Sequence, residues 1–83
     1  MMPTIGEFEG IRVMMFHRDH LPPHFHVEYG GDEAEIAIAT LEVLAGQLPN
    51  AVLRKVREWA ATRQAELALD WVKCQSHLPP DKL

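Results

Sequence analysis

Apolar residues alternate with polar ones in the first half of the chain and recur every three or four positions in the second. The first behaviour is that of strands, whose side chains point to opposite faces with a period of two. The second is that of helices that cover a core with one face. Ile11, Val13 and Met15 alternate with Arg12 and Met14, which predicts a half-buried strand over 11–17, with Gly6 and Gly10 bracketing its entry. Asp19-His20-Leu21-Pro22-Pro23 breaks it, because paired prolines supply no backbone donors. A second strand is expected over 24–29, with Phe25, Val27 and Tyr29 on one face and His24, His26 and Glu28 on the other. Gly30-Gly31-Asp32 reads as a tight hairpin turn. A third strand over 34–39 alternates Ala34, Ile36 and Ile38 against Glu35 and Ala37, and residues 41–44 suit a short fourth strand stopped by Gly46.

From Pro49 onward the period changes. Proline fits a first helical turn, where its missing N–H costs nothing. Val52, Val56, Trp59 and Ala60 form one apolar face, and Leu67, Trp71 and Cys74 continue it. Thr62, Arg63 and Gln64 interrupt the stripe, so two helices or one kinked helix are expected, ending at Pro79-Pro80. Strands followed by helices define an α+β class: an antiparallel sheet of three to four strands with the helices packed on one face. At 83 residues the chain makes one domain (1–83), β-rich over 1–46 and helical over 49–78. Trp59 and Trp71 lie on the stripe that must cover the sheet, which makes them core anchors.

Charge is unevenly spread. Residues 1–48 carry two arginines against eight carboxylates, a net of −6, whereas residues 49–83 carry six cations against four carboxylates, a net of +2. That polarity argues against a broad DNA-binding surface, which draws on clustered positive charge. Arg54, Lys55 and Arg57 nevertheless form a local basic patch that suits an acidic protein or an RNA backbone. One cysteine, Cys74, excludes an internal disulfide and a cysteine-based zinc finger, and its place on the apolar face assigns it to packing. No window approaches the ~18–20 apolar residues of a membrane span. Met1-Met2-Pro3-Thr4 lacks a basic, then apolar, leader, so a reducing cytoplasm is the expected compartment.

The densest chemistry lies in the hairpin. His17, His20, His24 and His26 fall within ten residues. A strand sets His24 and His26 side by side on one face, about 6.5–7 Å apart at Cα. Two imidazoles at that spacing can share a zinc or nickel ion, with His20, Asp19 or Glu28 as a third ligand. Two better-known patterns fail. Nucleotide hydrolases of the histidine-triad class need a third alternating histidine where Glu28 stands, and 83 residues cannot build the eight-stranded barrel of the cupins. No serine or cysteine nucleophile pairs with a base, so no catalytic constellation is complete and no cofactor is required.

The residues also carry a resemblance. Met2-Pro3-Thr4-Ile5, Phe8, Gly10 and Ile11 lead into Asp19-His20, Pro22-Pro23-His24-Phe25-His26-Val27 and Tyr29-Gly30; Leu44, Gly46, Leu48-Pro49, Ala51, Val56, Glu58-Trp59-Ala60, Glu66-Leu67 and Trp71 follow. This order resembles the uncharacterised bacterial family called domain of unknown function 4160 (DUF4160). The resemblance implies a small bacterial protein without assigned catalytic residues. It also implies a neighbour of another small family, domain of unknown function 2442 (DUF2442), in arrangements similar to toxin–antitoxin pairs. The leading expectation is therefore a protein-interaction module of a two-protein system, binding a small protein partner through the histidine hairpin (Asp19, His20, His24, His26 and Glu28) or the basic helix (Arg54, Lys55 and Arg57). Two alternatives are a metal- or histidine-dependent hydrolase, such as an RNase, built on His20, His24 and His26, and nucleic-acid binding through Arg54, Lys55 and Arg57.

Overall fold

Short alternating segments separated by glycine-bearing turns produce a meander. The computed structural model of the protein describes residues 4–83; the expectation about a leader falls on Met1 to Pro3 and lies outside them. Five strands, β1 (Thr4–Phe8), β2 (Ile11–Met14), β3 (His24–Tyr29), β4 (Asp32–Ala37) and β5 (Val43–Gly46), form one antiparallel sheet in the order β1-β2-β3-β4-β5. Two helices follow, α1 (Asn50–Ala61) and α2 (Gln64–Gln75). The α+β class is as expected, with one strand more than the three to four that the alternation predicts.

The additional strand is β1. Its alternation is broken by Gly6, which weakens a strand signal because it has no side chain to place. Gly6 is there because the Trp59 ring lies against it: a Cβ would sit 2.8 Å from that ring. The turn from β1 to β2 consists of Glu9 (φ 48°) and Gly10 (φ 78°), both left-handed, as a two-residue hairpin that follows strand twist requires. β2 ends at Met14 rather than reaching residue 17, because the chain then leaves the sheet as the loop from Met15 to Pro23. β5 starts two residues later than expected and includes Gly46, which is its last residue rather than its stop.

In β3 and β4 the two-residue turn at Gly30-Gly31 sets the register, pairing Val27 with Ala34, His26 with Glu35 and Phe25 with Ile36. One face of the sheet therefore presents Val13, Phe25, Val27, Ala34 and Ile36, which pack with Val52, Val56, Ala60, Leu67 and Trp71 of the helices in a single apolar core. At about 25 cal/mol per Å² of apolar area, this burial is the main cohesion of so small a domain. The opposite face carries Met14, His24, His26 and Glu35, and the Met15–Pro23 loop folds across it.

The helical region is two helices. Thr62 (φ −94°, ψ 5°) and Arg63 (φ −130°, ψ 13°) leave helical geometry. Arg63 stacks over Trp59 and donates from Nη1 to its carbonyl at 2.8 Å, and Gln64 Nε2 donates to the Ile38 and Ala39 carbonyls at 2.8 and 3.1 Å. Those contacts fix where α2 starts. It ends at Gln75, before the two prolines. His77 turns left-handed (φ 60°), and the amides of His77 and Leu78 donate back to the carbonyls of Cys74 and Lys73. This closes the helix with a Schellman motif.

Candidate functional site

His24 and His26 project from the second face of β3, and the loop brings Asp19 to them. The loop is pinned from behind by α2: the Arg18 amide donates to the Cys74 carbonyl (3.2 Å) and Gln75 Nε2 to the Asp19 carbonyl (3.3 Å). The Asp19 carboxylate is thereby held against both imidazoles. Its Oδ2 lies 3.0 Å from His24 Nε2 and 2.7 Å from His26 Nε2, and its Oδ1 accepts from the His20 amide at 2.9 Å. His24 is fully buried and His26 nearly so, an unusual setting for two titratable rings. Phe16 packs on His26 (ring centroids 4.0 Å apart), and Trp71 on His24 (5.3 Å).

The orientation of His24 follows from its second nitrogen. Nδ1 lies 2.7 Å from the Pro22 carbonyl oxygen, which can only accept, so Nδ1 carries a proton and donates it. Nε2 faces carboxylates on two sides, Asp19 Oδ2 and, at 3.4 Å, Glu35 Oε1. His20, largely exposed, stacks on His24 and places its Nε2 3.4 Å from the same Glu35 oxygen and 3.7 Å from Asp19 Oδ1. Burial opposes ionisation of Asp19. Hydrogen bonds from His26 and the His20 amide, with the charges of His24 and His26, outweigh it and hold the carboxyl below its ordinary value of 3.8.

Of the residues singled out from sequence, Asp19, His20, His24 and His26 come together. Glu28 does not join them; it faces Arg12 across the sheet at 3.5 Å. Glu35 stands in its place, directly opposite His26 in the register. The signal for it was the two-residue turn, which pairs positions whose numbers lie symmetrically about Gly30-Gly31. Asp19, His24 and His26 form one set of donor atoms within 4.8 Å of one another, and His20, His24 and Glu35 form a second. An open recess of about 260 Å³ reaches His26 and Glu35 beside Phe16 and Ala45.

The basic patch lies elsewhere, on α1. Arg54 pairs with Glu58 (3.9 Å), Lys55 with Glu9 (3.0 Å), and Arg57 Nε donates to the Leu41 carbonyl (3.0 Å). Cys74 is buried in the core, where desolvation pushes its thiol up, away from reactivity. Among the described residues, no helix is long and apolar enough to cross a membrane.

These features define a small α+β domain organised around a buried histidine–aspartate cluster under a proline-rich loop. The chain belongs to the family described as a domain of unknown function, DUF4160, whose family model matches residues 10–72. The matched span contains every residue of the cluster and leaves out β1 and the C-terminal tail. No curated protein and no solved structure matches the chain.

Proposed function

We propose that the protein is a protein-interaction module, one half of a two-protein pair of toxin–antitoxin type, and that it docks its small partner along the outer side of α2. The observation that carries this reading is a second apolar stripe on that helix. A surface helix needs only one such stripe, facing the core. α2 buries Leu67, Trp71 and Cys74, yet Ala65, Ala68, Leu69 and Val72, at i, i+3, i+4 and i+7, lie exposed. Leu69 is 62% exposed and Val72 60%.

At Ala65 and Ala68 the stripe enters an open groove of about 590 Å³ whose other walls include Pro22, Pro23, Ile38 and Leu44. Single exposed apolar residues are ordinary on a protein surface, but a contiguous stripe that continues into an apolar groove is the mark of a docking surface. Its spacing suits an amphipathic partner helix laid along it. Glu42 at the groove and Glu66 on α2 favour a partner with basic flanks. The basic face of α1 supports a nucleic-acid surface less well, since Lys55 and Arg57 are already engaged within the chain.

The test is co-expression with a small protein of the DUF2442 family, the kind of partner that the family resemblance implies, followed by size-exclusion chromatography and calorimetry. A one-to-one complex is expected, weakened at least about tenfold by Leu69→Asp, a change at an exposed position that leaves the fold intact by circular dichroism. Absence of a complex, or a complex indifferent to Leu69→Asp and Ala68→Arg, overturns the reading.

A further inference from the structure

The histidine–aspartate cluster requires a positive charge that a neutral His24 does not supply. His24 spends its Nδ1 proton on the Pro22 carbonyl, which leaves the Nε2 lone pair of the neutral ring aimed at the Asp19 carboxylate 3.0 Å away. Two lone pairs at that distance repel. Something positive must lie between them, either a second ring proton or a cation. Glu35 Oε1 approaches the same nitrogen from another side, so two carboxylates converge on rings that are almost wholly removed from water. Buried carboxylates are costly unless positive charge balances them.

The spacing decides which cation fits. A tetrahedral ion bound at about 2.0–2.1 Å holds its ligand atoms roughly 3.3–3.4 Å apart. The separations found are 3.0 Å for Asp19 Oδ2 to His24 Nε2, 2.7 Å for Asp19 Oδ2 to His26 Nε2, and 3.4 Å for Glu35 Oε1 to His24 Nε2. Asp19 Oδ2, His24 Nε2 and His26 Nε2 lie within 4.8 Å of one another, so outward movement of a few tenths of an ångström at His26 and Asp19 opens room for one ion among them, while Glu35 meets His24 and His20 and stands outside this set. The backbone carbonyl behind His24 is also the support that metal-bound imidazoles characteristically have, a partner that fixes the tautomer and aims the other nitrogen at the ion.

The geometry points to a single divalent site for a zinc-class ion, with Asp19 Oδ2, His24 Nε2 and His26 Nε2 as its three protein ligands. Imidazole with carboxylate is a donor set for zinc and its neighbours rather than for calcium or magnesium, which prefer oxygen alone. The two imidazoles that hold the ion are almost wholly buried, and the third ligand comes from the loop, so the ion would clamp the Met15–Pro23 loop to β3. His20, at the rim, is not needed. Because Pro22 and Pro23 wall the groove beside α2, ion binding would also set the shape of the partner surface. That link alone rests on the function proposed above.

The test uses the full chain stripped with a chelator and titrated with zinc chloride by calorimetry, and with cobalt(II) followed by absorption. One ion per chain at micromolar affinity or tighter is expected, with the intense visible bands of tetrahedral cobalt and a raised melting temperature. His26→Gln and Asp19→Asn should each weaken binding by more than about 100-fold, beyond the 10–100-fold that loss of a supporting hydrogen bond brings. Glu35→Gln and His20→Ala, both outside the donor set, should each change affinity less than about tenfold on the same scale, and cobalt-shifted ring signals of His24 and His26 in the unmutated chain repeat the test should either ligand variant fail to fold. Binding weaker than millimolar, more than one equivalent ion per chain, or loss of binding through His20→Ala alone would overturn the site in favour of surface chelation or a purely protonic cluster. Leu69→Asp should leave zinc binding unchanged, so failure of the metal site and failure of the docking surface are separately visible.

Discussion

β3 divides the molecule into two regions that cohere by different means. On its helix side Phe25 and Val27 lie fully buried among Val13, Ile36, Val56 and Leu67. On its other side His24 and His26, one residue out of phase, converge on Asp19 beneath a loop. The first region is held by apolar burial and dispersion, which are non-directional and indifferent to pH. The second is held by a few charge-assisted contacts, each dependent on geometry and on a proton or cation in the right place. The difference teaches which region can respond to its surroundings. The apolar side gives the domain its existence, while the polar side ties the Pro22–Pro23 wall to the sheet through His24.

The largest expected effect breaks the apolar side. Phe25→Ala should cost about 3–5 kcal/mol. Against a total stability of about 4–12 kcal/mol for a domain this size, that is between about a quarter and all of it, and urea denaturation should show the midpoint fall accordingly. An intermediate effect is expected on the polar side. With chelator present, Asp19→Ala should cost about 1–3 kcal/mol by leaving two buried rings without their acceptor. The same denaturation curve for Glu28→Gln should move by less than about 0.5 kcal/mol, since Glu28 makes only an exposed pair with Arg12. Equal losses from the two changes would mean that the cluster is no more than a solvated surface.

The smallest effect sharpens the comparison, because the helix side has one polar exception. Asp70 of α2 is buried; its Oδ1 accepts the Asp81 amide at 2.8 Å, while its Oδ2 has no partner. Burial pushes its carboxyl above the ordinary 3.8; the Asp81 amide and Lys73 draw it back only in part, and the charges of Asp81 and Glu66 add to the rise. A raised carboxyl pKa means that the folded chain keeps a proton the unfolded chain has lost. Its stabilising contribution is therefore present below 3.8 and is lost as pH rises through the folded value. Asp70→Asn keeps an oxygen for the Asp81 amide and removes this pH dependence. Melting temperatures of the two proteins between pH 3 and 7 should differ in slope across that window; parallel curves would show that Asp70 is hydrated.

Much of this arrangement was legible residue by residue, and the failures have physical causes. The β3–β4 hairpin followed from alternation and two glycines, and the helical stripes from their three- and four-residue spacing. β1 was hidden because Gly6 carries no side chain, an absence imposed by Trp59 from more than fifty residues away. The end of α2 was misplaced because a left-handed His77, not a proline, closes it, and histidine carries no such signal. The alternation points to Glu28, which shares a strand face with His26, and gives no sign of Glu35, whose contact runs across strands.

The sequence by itself determined the α+β class, the presence of the β3–β4 hairpin, the apolar face of each helix and the identity of most cluster residues. These depend on period and turn chemistry, which are local. Only the tertiary structure decided that Asp19 meets His24 and His26, that Glu35 joins them and that α2 keeps a second apolar stripe exposed. The path of the loop carrying Asp19 is set by anchors at Cys74 and Gln75, and exposure is a property of what the other elements leave uncovered. Neither is written in the spacing of nearby residues.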